Sequence, residues 1–407
     1  MYDVEKIRKD FPVLTQVQND KPLVYLDTAA TAQKPKAVID KICEIYTTSY
    51  ANVHRGDYLL AEKVTEEYEN ARACVQKFVG AKKTSEIVFT RNATEAINLV
   101  AASWGENNLK AGDEILVSQA EHHANLVPWQ IVAQKTGATL KIFNINDDGS
   151  YNKQAYENTL SKKVKLVAVT AMSNVLGTVF PIKEITAAAH KIGAKVLVDA
   201  CQFAVHHQIN VKDLSCDFLA FSGHKLYGPT GIGVLYAKEE ILQNMPPYQA
   251  GGDMVDKVSY QHTTYALPPA RFEAGTPAIV EAIGLKTAID YVLKIGFENI
   301  NFHEKELLKH FNSRASEISD FKIIGTAKDK GGVISFDFKG IHPQDLSFVL
   351  AHEGVAIRIG HHCAEPLVER MGYHSLARAS FGLYTSKTDI DAFFDALKKA
   401  ERLLYNH

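Results

Sequence analysis

The 407-residue chain holds too few cysteines for a disulfide framework. There are five, at positions 43, 74, 201, 216 and 363, and none forms a CxxC pair. An odd, scattered set excludes a disulfide-stapled secreted domain and fits a reduced, cytosolic setting. Four of the five fall in apolar-periodic or strand-like stretches, where a buried thiol acts as a small hydrophobe; Cys363 does not. A surplus of charge is also missing: the net charge is -2, so nothing global draws the chain to nucleic acid or to an anionic membrane. No apolar run approaches a membrane span. The opening stretch, MYDVEKIRKDFPVL, lacks the apolar core of a signal peptide and predicts a short amphipathic helix. Nucleotide motifs are missing as well. There is no Walker A sequence, and GPTGIG at 228–233 departs from GxGxxG and leads into a strand-like VLYA, which disfavours dinucleotide binding. The zinc motif HExxH fails because Ala356 follows His352-Glu353 where a histidine is needed.

What is present is ordinary globular material, 46% hydrophobic and 23% charged, long enough for two or three domains of roughly 100–200 residues. From residue 86 strand and helix patterns alternate: EIVFT, NATEAINLVAASW, EILVSQ, ANLVPWQIVAQKTG, TLKIFNI, and later KLVAVTAM, KVLVDA and FLAFSGH. This predicts an α/β protein with a large, doubly wound, mostly parallel sheet. FEAGTP at 272–277 interrupts the pattern. After the helical run EAIGLKTAIDYVLKIG the chain reads helix, strand (GGVISFDF), helix (PQDLSFVLAHEG), strand (VAIRIG), loop and a last amphipathic helix, a second and smaller α/β domain. The expected division is 21–294 for the large domain, and 1–20 with 295–407 for the small one carrying the Cys363 loop.

Two stretches organise the chemistry, KVLVDACQ at 195–202 and DFLAFSGHKLYGPTGIGVLY at 217–236. Each opens as a buried parallel strand and ends on polar residues, where α/β sheets place their ligands. Lys225, beside Ser222 and His224 and followed by glycines, is suited to hold a carbonyl cofactor as a Schiff base, with hydroxyl and imidazole donors left for a phosphate. Asp199 can pair with a pyridinium nitrogen. Together they point to pyridoxal 5'-phosphate, although either residue alone reads equally well as a solvated lysine or a helix cap. Thr94 follows a strand and opens a helix, a place for phosphate or simply an N-cap. His122 and His123 end the EILVSQ strand at the same edge, where a histidine can stack on an aromatic cofactor and move protons. His54 and Arg55 precede a long helix and are solvated loop residues or site residues. In RIGHHCAEP, 358–366, Cys363 stands beside His361, His362 and Arg358, positive groups that favour a thiolate nucleophile; the same cluster has no second group at metal-ligand spacing.

SGHKLYGPTGIG, VDACQ, EHHANLVPWQ, SNVLGT, RFEAGTP and RIGHHCAEP, in this order over nearly the whole chain, resemble the SufS-type, group II cysteine desulfurases. The resemblance implies fold type I of the pyridoxal phosphate enzymes, a homodimer, and conversion of L-cysteine to L-alanine with sulfane sulfur left on an enzyme cysteine. It implies Lys225 as the Schiff-base lysine, Asp199 at the pyridine nitrogen, Gln202 at the phenolic oxygen and His122 on the ring. Thr94, Ser222 and His224 would hold the phosphate, with Thr276 from the other subunit. Asn174 and Arg378 would bind the substrate carboxylate, with Arg358, His54 and Arg55 nearby, and Cys363 would accept sulfur. It further implies hand-over to a SufE-like or SufU-like acceptor protein for iron-sulfur cluster assembly, with no resident metal. Cys201 departs from many relatives, which carry alanine there. The nearest rival is a selenocysteine lyase or another class V lyase on the same fold.

Overall fold

The computed structural model describes residues 2–404. A seven-stranded sheet organises the larger part. Its order across the sheet is Ile87–Thr90, Gly233–Ala237, Phe218–Ser222, Lys195–Asp199, Val164–Thr170, Glu114–Ser118 and Thr139–Phe143. Gly233–Ala237 runs antiparallel to both neighbours, while the five strands from Phe218–Ser222 to Thr139–Phe143 are mutually parallel. The strands read as near-continuous apolar runs because both faces are covered. Val196 and Val198 join the core on one face with Leu59–Val79 and Ile279–Ile295, whereas Leu197 joins the core on the other with Ala93–Leu99 and Val127–Thr136. The expected doubly wound sheet is therefore present, and its one reversed strand follows the lysine loop.

The parallel strands end at Ser118, Thr170, Asp199 and Ser222 along one edge. Gly233 starts the reversed strand at that same edge and packs against the turn before Ala93–Leu99. A Cβ on Gly233 would come within 2.4–2.8 Å of the Asn92 backbone.

The second sheet is antiparallel throughout, in the order Phe321–Ile324, Val333–Phe338, Leu376–Ser380 and Arg358–Gly360. Phe297–Ser316, Pro343–His352 and Lys387–Leu404 cover it, and its core is aromatic, with Phe311 stacked on Phe393 at 5.6 Å. The chain's start lies on this part: Arg8 pairs with Asp389 at 2.6 Å, and Val24–Tyr25 pairs in parallel with Val355–Ala356.

Several local expectations change. The opening amphipathic helix is only Val4–Arg8, because Pro12 starts a separate 3-10 turn, Pro12–Thr15. VAIRIG is not one strand: its two halves pair with different partners, Val24–Tyr25 and Leu376–Ser380. The stretch after Cys363 contains a helix, Glu365–Arg370, and a central strand, Leu376–Ser380, whose LARAS sequence is too small and short to announce itself. Cys43 is exposed on Lys36–Thr48 and Cys74 half-buried, so of the four thiols expected inside only Cys201 and Cys216 are buried. No helix among the described residues is long and apolar enough to cross a membrane.

The Gly233 approach carries a prediction. Gly233→Ala should lower unfolding free energy by about 1–3 kcal/mol, the usual cost of overpacking, because the neighbour is backbone and cannot rotate away. Urea denaturation checks it; an unchanged midpoint would show that the turn at Asn92 yields freely.

Candidate active site

A cavity of about 250 Å³ lies at the sheet edge, between the two sheets. Eleven of the fourteen candidate residues line it: Thr94, His122, Asn174, Asp199, Gln202, Ser222, His224, Lys225, Arg358, Cys363 and Arg378. The remaining three do not. Thr276 lines one outlying hollow and His54 and Arg55 another; the two hollows share Glu273 and Pro277. Arg55 pairs there with Asp253 at 2.6 Å and His54 with Glu69 at 3.0 Å.

Asp199 is 5% exposed and accepts from the Cys201 backbone N–H at 2.9 Å. Burial and the nearby Asp199 charge push the Cys201 thiol far up, so it is a neutral S–H and no nucleophile. Gln202 Nε2 donates to Ala29 O at 2.8 Å, fixing its amide beside the small-residue segment. Ser222 Oγ accepts from Ala93 N–H at 2.9 Å, bracing the turn that carries Thr94. His224 Nδ1 meets Thr31 Oγ1 at 3.1 Å, and burial with Lys225 and Lys34 nearby lowers its pKa to about 4.

His122 is held neutral too, lowered to about 4 by burial and by the Lys225 charge. Its Nδ1 accepts from Ala124 N–H at 3.0 Å, which puts the proton on Nε2. Beneath it Glu121 is fully enclosed. It accepts from Thr170 N–H at 2.9 Å and Asn125 Nδ2 at 2.6 Å and is bonded to Ser118 Oγ; burial raises its pKa from 4.5 to about 8. Glu121 was not among the residues singled out from sequence, though it immediately precedes the histidine pair.

On the other wall, Arg378 is 2% exposed. Its Nη1 donates to Asn174 O at 2.8 Å, its Nη2 to Asp27 Oδ1 at 3.1 Å, and its Nε has no partner. Arg358 is its cross-strand neighbour. Asp27, 351 residues from Arg378, carried no sequence signal for that pairing. Asn174 Nδ2 donates to His362 O at 2.8 Å. His362 and Cys363 both adopt left-handed backbone, φ 53° and 56°, at about 1–3 kcal/mol each. The turn leaves Cys363 at once on the cavity wall and exposed to solvent. His362 is buried, its Nε2 donating to Leu376 O, and burial with Arg378 and Arg358 lowers its pKa to about 3. Among the described residues no group of three or more His, Cys, Asp or Glu is placed to hold a metal ion.

A buried carboxylate, an adjacent lysine, a helix start and a loop cysteine at the strand ends of a doubly wound sheet define a class that the whole-chain comparison identifies. The Aminotransferase class-V family pattern matches residues 24–393, and the chain belongs to that family. Among its relatives, a probable cysteine desulfurase of Synechocystis is 48% identical over 97% of this chain and 95% of its own length. A cysteine desulfurase of Enterobacter is 48% identical over 99% of both. The crystal structure of the Escherichia coli cysteine desulfurase CsdA, in an S-sulfonic acid form, superposes with a TM-score of 0.91 at 39% identity, covering 99% of this chain and 100% of that one.

Burial fixes the sign of the Glu121 contribution to stability. Its folded pKa lies above its unfolded value, so its contribution to stability is full below pH 4.5 and is lost as pH rises toward about 8. In cofactor-free protein, wild-type stability minus that of Glu121→Gln should fall across this window by up to about 1.4 kcal/mol per pH unit. Denaturant titrations at several pH values measure it, and parallel curves for the two proteins would contradict the assignment.

Proposed function

We propose that the protein is a pyridoxal 5'-phosphate-dependent cysteine desulfurase that takes sulfur from L-cysteine onto Cys363 and releases L-alanine. One observation carries this reading: Lys225, Asp199 and Cys363, from three separate segments, share one cavity. The donor set fits the cofactor. Asp199 is a buried carboxylate on the wall, suited to a protonated ring nitrogen. Ser222, Thr94 and neutral His224 offer hydrogen bonds beside a helix start, suited to a phosphate, and the neutral His122 ring lies near Lys225. Gln202 is the donor for the phenolic oxygen. Bound there, the cofactor supplies the electron sink that acidifies the substrate Cα–H and accepts charge as the carbon–sulfur bond breaks.

The chain's own groups do the rest. The Lys225 amine attaches the cofactor and, once the substrate amine takes its place, moves the α-proton. Arg378 and the Asn174 amide, both on the cavity wall, receive the substrate carboxylate, with Arg358 adding positive charge. Cys363 Sγ attacks the substrate sulfur: an S–S bond forms, the Cβ–S bond breaks, and protonation of the carbon skeleton leads to alanine. Exposure of Cys363 suits delivery to a SufE-like or SufU-like acceptor for iron-sulfur cluster assembly in the cytoplasm. The outlying Thr276, His54 and Arg55 support a homodimer in which each copy supplies them to its partner's cavity. The cofactor-holding domain falls within 21–294, less the segment through Leu26, which packs with the domain presenting Cys363, 1–20 with 295–407.

Two variants separate the steps. Lys225→Ala should lose both alanine formation and the visible absorbance of lysine-bound cofactor. Cys363→Ser should keep that absorbance and its change on adding L-cysteine, form no persulfide, and make alanine more slowly by orders of magnitude. Undiminished alanine from Cys363→Ser, with persulfide on Cys201, would reassign the nucleophile. Retained activity of that variant on selenocysteine would favour the lyase reading.

A further inference from the structure

We infer that His123 is the positioning residue for Cys363, clasping the turn that presents the thiol to the cavity. The inference rests on the reading of Cys363 as sulfur acceptor. The His123 backbone N–H donates to Cys363 O at 2.7 Å, and its ring Nε2 accepts from Glu365 N–H at 3.1 Å, 242 residues away. The two bonds grip the chain on either side of Ala364.

Both bonds meet a need. Helix Glu365–Arg370 begins without a capping side chain, since Ala364 at its N-cap has none to offer. The His123 ring fills that place from another part of the fold. His362 and Cys363 stand in left-handed backbone that side-chain-bearing residues leave unless held. The Asn174 amide holds His362 O, and His123 holds Cys363 O.

The clasp has a rigid base. Asn125 N–H donates to His122 O at 2.8 Å and Asn125 Nδ2 to Glu121 Oε2 at 2.6 Å, while Trp129 Nε1 donates to Asn125 Oδ1 at 3.1 Å. His122, on the cavity wall, and His123, on the cysteine turn, are consecutive residues of this braced segment. One segment therefore sets the thiol in register with the ring-facing side of the cavity.

The test uses cofactor-loaded His123→Ala and His123→Gln, the glutamine restoring an acceptor oxygen. In single turnovers with L-cysteine, His123→Ala should show the wild-type visible change while persulfide on Cys363, read by mass spectrometry after quenching, forms about 10- to 100-fold more slowly. His123→Gln should recover much of the rate. In cofactor-free protein, iodoacetamide should alkylate Cys363 several-fold faster in His123→Ala as the turn loosens. Wild-type rates of both persulfide formation and alkylation in His123→Ala would overturn the clasp. A glutamine variant as slow as alanine would assign the effect to ring bulk and overturn it equally. If His123→Ala does not fold, His123→Phe, which fills the space without an acceptor, carries the same readings. If wild type forms no persulfide on Cys363, the functional reading fails, while the alkylation arm still decides the clasp.

Discussion

The structure depends on a guanidinium buried at the seam of two sheets. Arg378 belongs to a central strand of the smaller sheet, yet it bonds Asn174 of the larger part and Asp27 of the connecting segment. Removing such a pair from water costs more than the pairing returns unless further bonds are added. The shifts of both groups say so: burial lowers the Arg378 pKa despite Asp27, and raises that of Asp27 despite Arg378. The enclosed Nε has no hydrogen-bond partner. On the proposed reading, a substrate carboxylate in the cavity would set a second negative charge beside this guanidinium.

The same burial sorts charge within the cavity. His122, His224 and His362 are each lowered, to about 4, 4 and 3, by burial first and then by Lys225, Lys34, Arg378 and Arg358. Neutral at physiological pH, they serve as directional hydrogen-bonding groups, while the arginines carry the positive charge on this wall. The sign for stability follows: each depressed histidine contributes fully above the unfolded value near 6.5 and loses that contribution as pH falls through its folded value.

Much of this was legible because the informative residues sit where periodicity changes. Asp199 and Lys225 each follow a short apolar run of the kind a buried strand shows, and a doubly wound sheet brings such ends to one edge. Cys363 was legible from the polar loop around it. What escaped were pairings without local pattern. Asp27 meets Arg378 across 351 residues, and Glu121 carries no local pattern that announces its enclosure by Thr170, Asn125 and Ser118. Leu376–Ser380 escaped because alanines and serines between two partner strands carry neither alternation nor bulk.

The seam also bears on how sulfur leaves. The loop after Val164–Thr170 docks on the small sheet through backbone: Gly331 N–H donates to Gly177 O at 2.9 Å, and Val179 N–H to Asp329 O at 2.9 Å. Ser335 Oγ donates to Val175 O at 2.7 Å. Gly177, at φ 72°, is packed so closely that a Cβ would lie 2.5 Å from Val333 O. Parting the sheets there would exchange several internal hydrogen bonds for bonds to water at once, each at a net cost of about 0.5–1.5 kcal/mol. If Cys363 is the sulfur acceptor, as proposed, handing sulfur on would not call for the two parts to open. The left-handed turn already leaves Cys363 exposed while Asn174 holds the carbonyl of His362 and His123 that of Cys363 itself; on the proposed reading an acceptor would need only to reach the turn, and these bonds would stay in place while it did.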